Sequence, residues 1–350
     1  MKGLRLLKKT IYKYKRVLTF SFVTSFMTIY SHIALWRFVL GAGVGGEYPL
    51  AATVTSESTS AARRGSLMAA VFSMQGVGSM LSVLVVLLCL ELGCSAAFAW
   101  RFSLAFGAVP AVLAFPYRLR MHETETFERV KQERKDAAIV GAGNGGYGST
   151  DSTSTTSGSE SRNEYVRAFK YYKWHMLGTA STWFLLDVVF YANGLFNHDV
   201  TSLILSNGKP TTALQDAWNS AFICLVAVPG YILSVNFMER VGRKNVQMNG
   251  FMAMGVLFLI CGHYRDWFLA ADAPFSRKLL FLVLYSLTFL FSNFGPNTTT
   301  FVIPGEIYPA EVRATCHGLS AASGKLGAAC GAYFFPLVLS NSGANGLKMR

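Results

Sequence analysis

The sequence predicts an all-α polytopic membrane protein, and three observations predict it. Hydrophobic residues fill 52% of the 350 positions, with a mean hydropathy of +0.34. Charged residues are only 15%, against about 25% in an ordinary soluble domain. Eight continuous apolar runs lie at 33–54, 67–92, 98–116, 174–196, 217–238, 246–264, 279–303 and 316–339. A membrane-crossing helix needs about 20 such residues. The runs lack the period-2 alternation of barrel strands, so each reads as a helix. This excludes a disordered chain, and it excludes a nucleic-acid binder on a polar fold despite a net charge of +13. So much apolar surface needs the lipid bilayer as solvent.

A ninth run at 17–31 is shorter: its 15 residues reach about 22 Å of a core about 30 Å thick. The positive-inside rule orients the spans. Residues 1–16 hold seven Lys/Arg and no acid, Arg63 and Arg64 lie between the runs 33–54 and 67–92, and 118–173 hold ten more. Arg240, Arg243 and Lys244 form another basic loop, and Arg313 lies in the last. Two spans separate each consecutive pair of basic segments, provided 17–31 crosses, so the N-terminus and all these loops are expected on the cytoplasmic side. The stretch 141–161 is nearly all Gly, Ser and Thr, a composition that makes a flexible tether. Three parts follow: a partial N-terminal helical half at 1–117, a central cytoplasmic loop at 118–173, and a C-terminal half at 174–350.

Several chemical signals are discounted. Gly41-Ala-Gly43-Val-Gly45-Gly46 spells G-x-G-x-x-G, but inside an apolar run rather than after a strand. Close helix packing through Gly41 and Gly45 is the expectation there. The six cysteines and the histidines His32, His175, His198 and His263 show no metal-ligand or nucleophile spacing. No metal, no cofactor and no catalytic residue is expected, and the chain is not read as an enzyme.

Polar groups in mid-membrane are expensive and mark function by default. The charged ones are Arg37, Glu47, Asp187 and Lys325, joined by the neutral Gln75, Asn193, Asn293 and Asn297. Trp183, Asp187 and Tyr191 are spaced i, i+4, i+8, which puts an indole N–H, a carboxylate and a phenol on one helix face. Two loops add charge. Glu239-Arg240-Val-Gly242-Arg243-Lys244 is a tight basic turn whose glycine permits it and whose arginines suit acids across the same face. Pro304-Gly-Glu306-Ile-Tyr-Pro309-Ala-Glu-Val-Arg313 joins helix breakers to two acids and an arginine, as a gate closed by ion pairs would.

These residues resemble the major facilitator superfamily and, within it, the phosphate:proton symporters of fungi, plants and protists. The turn at 239–244 resembles the superfamily's D/E-R-x-G-R-K/R loop. Three stretches are more specific: Gly43-Val-Gly-Gly-Glu-Tyr48-Pro-Leu-Ala-Ala-Thr, Trp183-Phe-Leu-Leu-Asp187-Val-Val-Phe-Tyr191, and Phe294-Gly-Pro-Asn297-Thr-Thr-Thr-Phe with Gly318-Leu-Ser-Ala-Ala-Ser-Gly-Lys325. The resemblance runs from about 34 to about 339 and implies the major facilitator fold with 8–9 of twelve spans present, the third to the eleventh. It implies a phosphate pocket of Tyr48, Gln75, Trp183, Asp187, Tyr191 and Asn297, with Lys325 balancing charge beside it. Glu47 stands where the family usually has aspartate. Asp187 and Glu47 would carry protons; phosphate, protons and lipid are the implied partners, and the membrane is expected to be the plasma membrane. Oligomeric state is not read. Two other readings stay open: a related carrier of a sugar, organic cation or glycerophosphodiester, and a truncated membrane protein that senses phosphate without transporting it.

Overall fold

The structure, a computed structural model, describes residues 30–120, 124–126, 128–129, 132–133, 136, 156–195, 197–206, 211–270 and 272–341. The basic run 1–16, most of the short run 17–31 and tether residues 141–155 lie outside the described residues. Among the described residues regular structure is entirely helical.

Three of the eight apolar runs fold as broken helices, and proline accounts for each break. The run 33–54 becomes α1 (Tyr30–Gly45) and α2 (Glu47–Glu57), meeting at Gly46. Pro49 has no N–H for the carbonyl of Gly45, four residues back, so the ladder stops there. A 3-10 turn, Ala61–Arg63, leads into the unbroken α3 (Arg64–Glu91). The run 98–116 becomes α4 (Ala96–Phe106) and α5 (Val109–Arg120), with Pro110 unable to donate to Phe106.

Helix α6 (Thr156–Leu195) starts well before the apolar run at 174, so tether residues 156–161 belong to its first turns. Hydropathy marks the part of a helix in lipid; it does not mark where hydrogen bonding begins. A short α7 (Asn197–Ser206) precedes α8 (Ala213–Val241), which Thr212 and Gln215 open with a reciprocal capping box. Then follow α9 (Arg243–His263), the single turn α10 (Arg265–Phe268), α11 (Phe275–Asn293), α12 (Pro296–Ile307) and α13 (Ala310–Asn341). Pro296 separates α11 from α12, whereas Pro229, Pro304 and Pro336 are accommodated inside helices.

Among the described residues five helical stretches are long and apolar enough to cross a membrane: Ala61–Glu91, Ala96–Tyr117, Ala213–Val241, Arg243–His263 and Phe275–Ile307. The other predicted spans fall on α1–α2, α6 and α13, which carry Glu47, Asp187 and Lys325.

Two helix pairs organise the interior. Helix α13 runs along α6, and α3 runs along α8. The α3–α8 seam is tied at both ends, by Ser66 N–H to Glu239 (3.1 Å) and by the Trp218 indole N–H to Glu91 (3.0 Å). Met68, Phe72, Trp183, Tyr231, Phe301 and Val302 form the central core, with Tyr48 packed against it. Large apolar side chains at Leu67, Val71, Met74, Leu81, Leu84 and Leu88 stay exposed along α3, as they would toward lipid. The close approach expected at Gly41 and Gly45 does not occur: among the described residues nothing lies within 4 Å of a Cβ at either.

Candidate functional site

A polar group is built between α6 and α13. Asp187 and Tyr191, one helical turn apart on α6, both face Lys325. The Lys325 Nζ donates to Asp187 Oδ2 at 3.1 Å and to the Tyr191 hydroxyl at 2.7 Å. It also stands 4.5 Å from the centre of the Tyr191 ring and 5.6 Å from that of Tyr48, a distance at which a ring face attracts a cation. The Asp187 side chain is 3% exposed and that of Lys325 47%. The carboxylate is thus buried while its cation faces open space. An ammonium has three donors, and Asp187 and Tyr191 take two of them.

Tyr48, on α2, brings the N-terminal half to this group. Its ring lies 6.3 Å from Trp183 and 6.3 Å from Phe301. Glu47 precedes it in the first turn of α2. Asn297 sits on the other side of the aromatic core, buried, its amide donating to the Tyr231 hydroxyl (3.0 Å) and to Asn293 Oδ1 (2.9 Å). Phe72 bridges the two sides, 5.0 Å from Phe301 and 6.2 Å from Tyr231. Gln75 is half-buried on α3, next to Gly76, which lies under the Tyr231 ring. Among the described residues its amide has no hydrogen bond to the group. Of the sequence-predicted pocket, Tyr48, Trp183, Asp187, Tyr191 and Lys325 come together, Asn297 joins through aromatic rings, and Gln75 stands at the edge.

A second cluster closes the end of the bundle that holds the basic loops. Arg243 forks onto Glu306, Nε to Oε2 and Nη2 to Oε1, each 2.8 Å, and its remaining nitrogen reaches Glu239. Glu239 in turn accepts from Ser66 N–H, so this network links α8, α9 and α12 to α3. Gly65 lets Arg243 in, since a Cβ there would be 2.6 Å from its Nη2. Gly242 turns the chain with φ +88. Arg313 donates to Glu57 Oε1 at 3.1 Å and to the Tyr308 carbonyl at 3.1 Å, tying α13 to α2. Arg240 follows Glu239 at the end of α8.

Comparison with known proteins completes the assignment. The family profile of sugar (and other) transporters matches residues 13–349. The chain belongs to that family. These are transporters and not enzymes. A probable inorganic phosphate transporter 1-6 from Arabidopsis thaliana is 36% identical over 90% of this chain and 66% of its own length. Inorganic phosphate transporter 1-1 from Oryza sativa subsp. japonica is 35% identical over 95% of this chain and 70% of its own. The chain thus spans about two thirds of the length of such curated relatives. The solved proton:xylose symporter XylE of the major facilitator superfamily, bound to 6-bromo-6-deoxy-D-glucose, superposes with a TM-score of 0.62 at 17% identity, covering 94% of this chain and 73% of that one. The fold is therefore that of the major facilitator superfamily, and this member is a multi-pass membrane protein.

Sequence reasoning missed several residues of this chain's interior. Tyr231 and Phe301 are indistinguishable in sequence from other core aromatics. Glu57 follows an apolar run without any local sign of a partner 256 residues away. His317 passed unremarked, although a buried imidazole on the helix of Lys325 is a signal of the same kind as Asp187.

Proposed function

We propose that this protein carries inorganic phosphate, together with protons, into the cell across the plasma membrane by alternating access. The observation that carries the reading is Lys325 held between Asp187 and Tyr191, half-exposed, with Tyr48 and Trp183 beside it. The relatives named as inorganic phosphate transporters support the same reading.

An arriving dihydrogen phosphate competes for Lys325 and draws it from Asp187. Tyr48, Tyr191, Trp183, Gln75 and Asn297 supply neutral donors to the phosphate oxygens. Asp187 accepts from a P–OH, a group that sulfate lacks, so sulfate meets an unpaired carboxylate and is rejected. Asp187 and Glu47 are the proton carriers in this reading, Asp187 being the one whose cation, Lys325, the phosphate can draw away. The ion pairs Arg243–Glu306 and Glu57–Arg313 close the basic end while the site loads from the other. By the positive-inside rule, that end faces the cytoplasm in this reading. The halves at 1–117 and 174–350 then rock about the central site.

The test is uptake of labelled phosphate by cells lacking their own phosphate transporters, at about pH 5 and about pH 8. Faster uptake at the lower pH, abolished by Asp187→Asn, is the expected result. Uptake indifferent to both would sink proton coupling. Competition by glucose or glycerophosphoinositol, with none by unlabelled phosphate, would reassign the cargo.

A further inference from the structure

A short chain of hydrogen bonds crosses the interior between α8, α11 and α12, and its first acceptor fixes the direction of every bond in it. The Asn293 side chain reaches the Ala227 carbonyl at 3.1 Å. A carbonyl only accepts, so the atom facing it is the amide nitrogen, and the Asn293 side-chain oxygen faces Asn297. That oxygen lies 2.9 Å from the Asn297 amide nitrogen, whose second hydrogen goes to the Tyr231 hydroxyl oxygen at 3.0 Å. A side-chain amide has two N–H donors, and both are used. The Tyr231 oxygen accepts, so its own hydrogen must point elsewhere. Among the described residues that hydrogen has no acceptor.

The chain is held in place from both sides. Asn293 ends α11 at the break before Pro296, where its backbone carbonyl accepts from Ser234 (2.8 Å) and Thr298 (2.7 Å). Gly230, next to Tyr231, lets α8 meet α11 there, since a Cβ on it would lie 3.0 Å from that of Asn293. Tyr231 is only 4% exposed, so bulk water does not serve its free O–H. A buried donor without an acceptor is rare and calls for a reason. Its position supplies one. Tyr231 belongs to the central core against which Tyr48 packs. Its hydroxyl is within electrostatic reach of Tyr48 and Tyr191, and the Tyr191 hydroxyl holds the Lys325 Nζ at 2.7 Å. The free O–H thus stands among the phenols of the candidate pocket.

We propose that Tyr231 is a substrate-contacting residue whose hydroxyl donates to a phosphate oxygen, and that Asn297 is a positioning residue that keeps this hydroxyl aimed as a donor. The proposal rests on the phosphate reading above and refines the part Asn297 plays in it: what its amide offers an anion is relayed through the phenol. The point of contact takes a bare oxygen of dihydrogen phosphate, because an O–H whose oxygen is already engaged can only donate, while the P–OH is taken by Asp187. No group ionises, and only hydrogen bonds change.

The experiment titrates inorganic phosphate into the full chain purified in detergent, by calorimetry, for wild type, Tyr231→Phe, Asn297→Ala and the double variant. Phenylalanine keeps the ring and removes only the hydroxyl. Tyr231→Phe is expected to weaken phosphate binding about tenfold. The double variant should bind no more weakly than Tyr231→Phe, because the amide acts only through the hydroxyl it holds. Unchanged affinity in Tyr231→Phe, or losses that add in the double variant, overturns the proposal. Tyr231→Phe strands one N–H of Asn297. Should it melt too low to titrate, the double variant strands none, and its comparison with Asn297→Ala isolates the hydroxyl; equal affinities for those two overturn the proposal. A second readout separates contact from support. The infrared difference spectrum, phosphate minus buffer, should hold a phenol C–O band in wild type that is missing from Tyr231→Phe. A tyrosine that only supports the fold would leave the two spectra alike, which overturns the contact. A wild-type chain that binds no phosphate sinks the phosphate reading and this proposal together, whereas binding that Tyr231→Phe leaves intact sinks this contact alone.

Discussion

Gly324 lies directly against the indole of Trp183, so closely that a Cβ on it would come within 2.7 Å of Nε1. Gly327 and Gly331, one and two turns further on, lie against the backbones of Phe184 and Val188 in the same way. This stripe of absent side chains lets α13 sink onto α6, and it is what brings Lys325 within hydrogen-bonding distance of Asp187.

Adding a methyl group at Gly324 should therefore separate the helices. Gly324→Ala is expected to cost about 1–3 kcal/mol through overpacking, visible as a lowered melting temperature and a weakened affinity for phosphate. Gly78 is the control, because among the described residues nothing lies within 4 Å of a Cβ there. Gly78→Ala should be neutral or stabilising by up to about 1 kcal/mol, from helix propensity alone. Equal melting temperatures for the two variants would contradict the packing argument.

The Asp187–Lys325 pair is asymmetric, 3% against 47% exposed. Removing the lysine strands a buried carboxylate, whereas removing the acid leaves an ammonium that solvent can reach. Lys325→Ala should destabilise more than Asp187→Asn, by about 1–3 kcal/mol for an unsatisfied buried acceptor. The double variant should recover part of that loss. Chemical denaturation of all three in detergent checks the order, and the reverse order would contradict the burial assigned to Asp187.

At the basic end, the side chains of Arg313 and Glu57 are 11% and 6% exposed, so salt should screen them little. Cys316, buried beside Tyr308 and Val312, is a native reporter of opening there. Glu57→Gln and Arg313→Gln should speed its reaction with a thiol reagent about tenfold, corresponding to about 1.4 kcal/mol. The charge-swapped pair Glu57→Arg with Arg313→Glu should restore part of the protection. Unchanged labelling would mean that the pair does not hold the end closed.

Gly242 has φ +88 and ψ 146, a region that side chains avoid. Gly242→Ala is expected to cost about 1–3 kcal/mol and to shift Arg243 relative to Glu306. The melting curve checks the first and phosphate uptake the second. A variant as stable as wild type would show that the turn has another conformation available.

The chain's helices were legible because apolar runs and prolines act over short distances. The run 217–238 is recovered within α8, and the breaks at Gly46 and Gly107 sit three residues before a proline. The i, i+4 spacing of Asp187 and Tyr191 likewise needs only one helix. Gly41 and Gly45 show the converse: glycine spacing states that a close approach is possible, and among the described residues no neighbour makes one there. The close approaches at Gly327 and Gly331 have the same four-residue spacing.

Taken alone, the sequence determined the solvent of this protein, the positions of its apolar helices, and the few polar groups that lipid would penalise. Each is set by hydropathy and backbone chemistry within about 20 residues. Tertiary structure decided which of those groups meet. Lys325 finds Asp187 across 138 positions, and Arg313 finds Glu57 across 256. The reason is physical: a buried charge constrains its own environment but not the identity of its partner, and the partner is chosen by which helix faces can pack closely enough to exclude everything else.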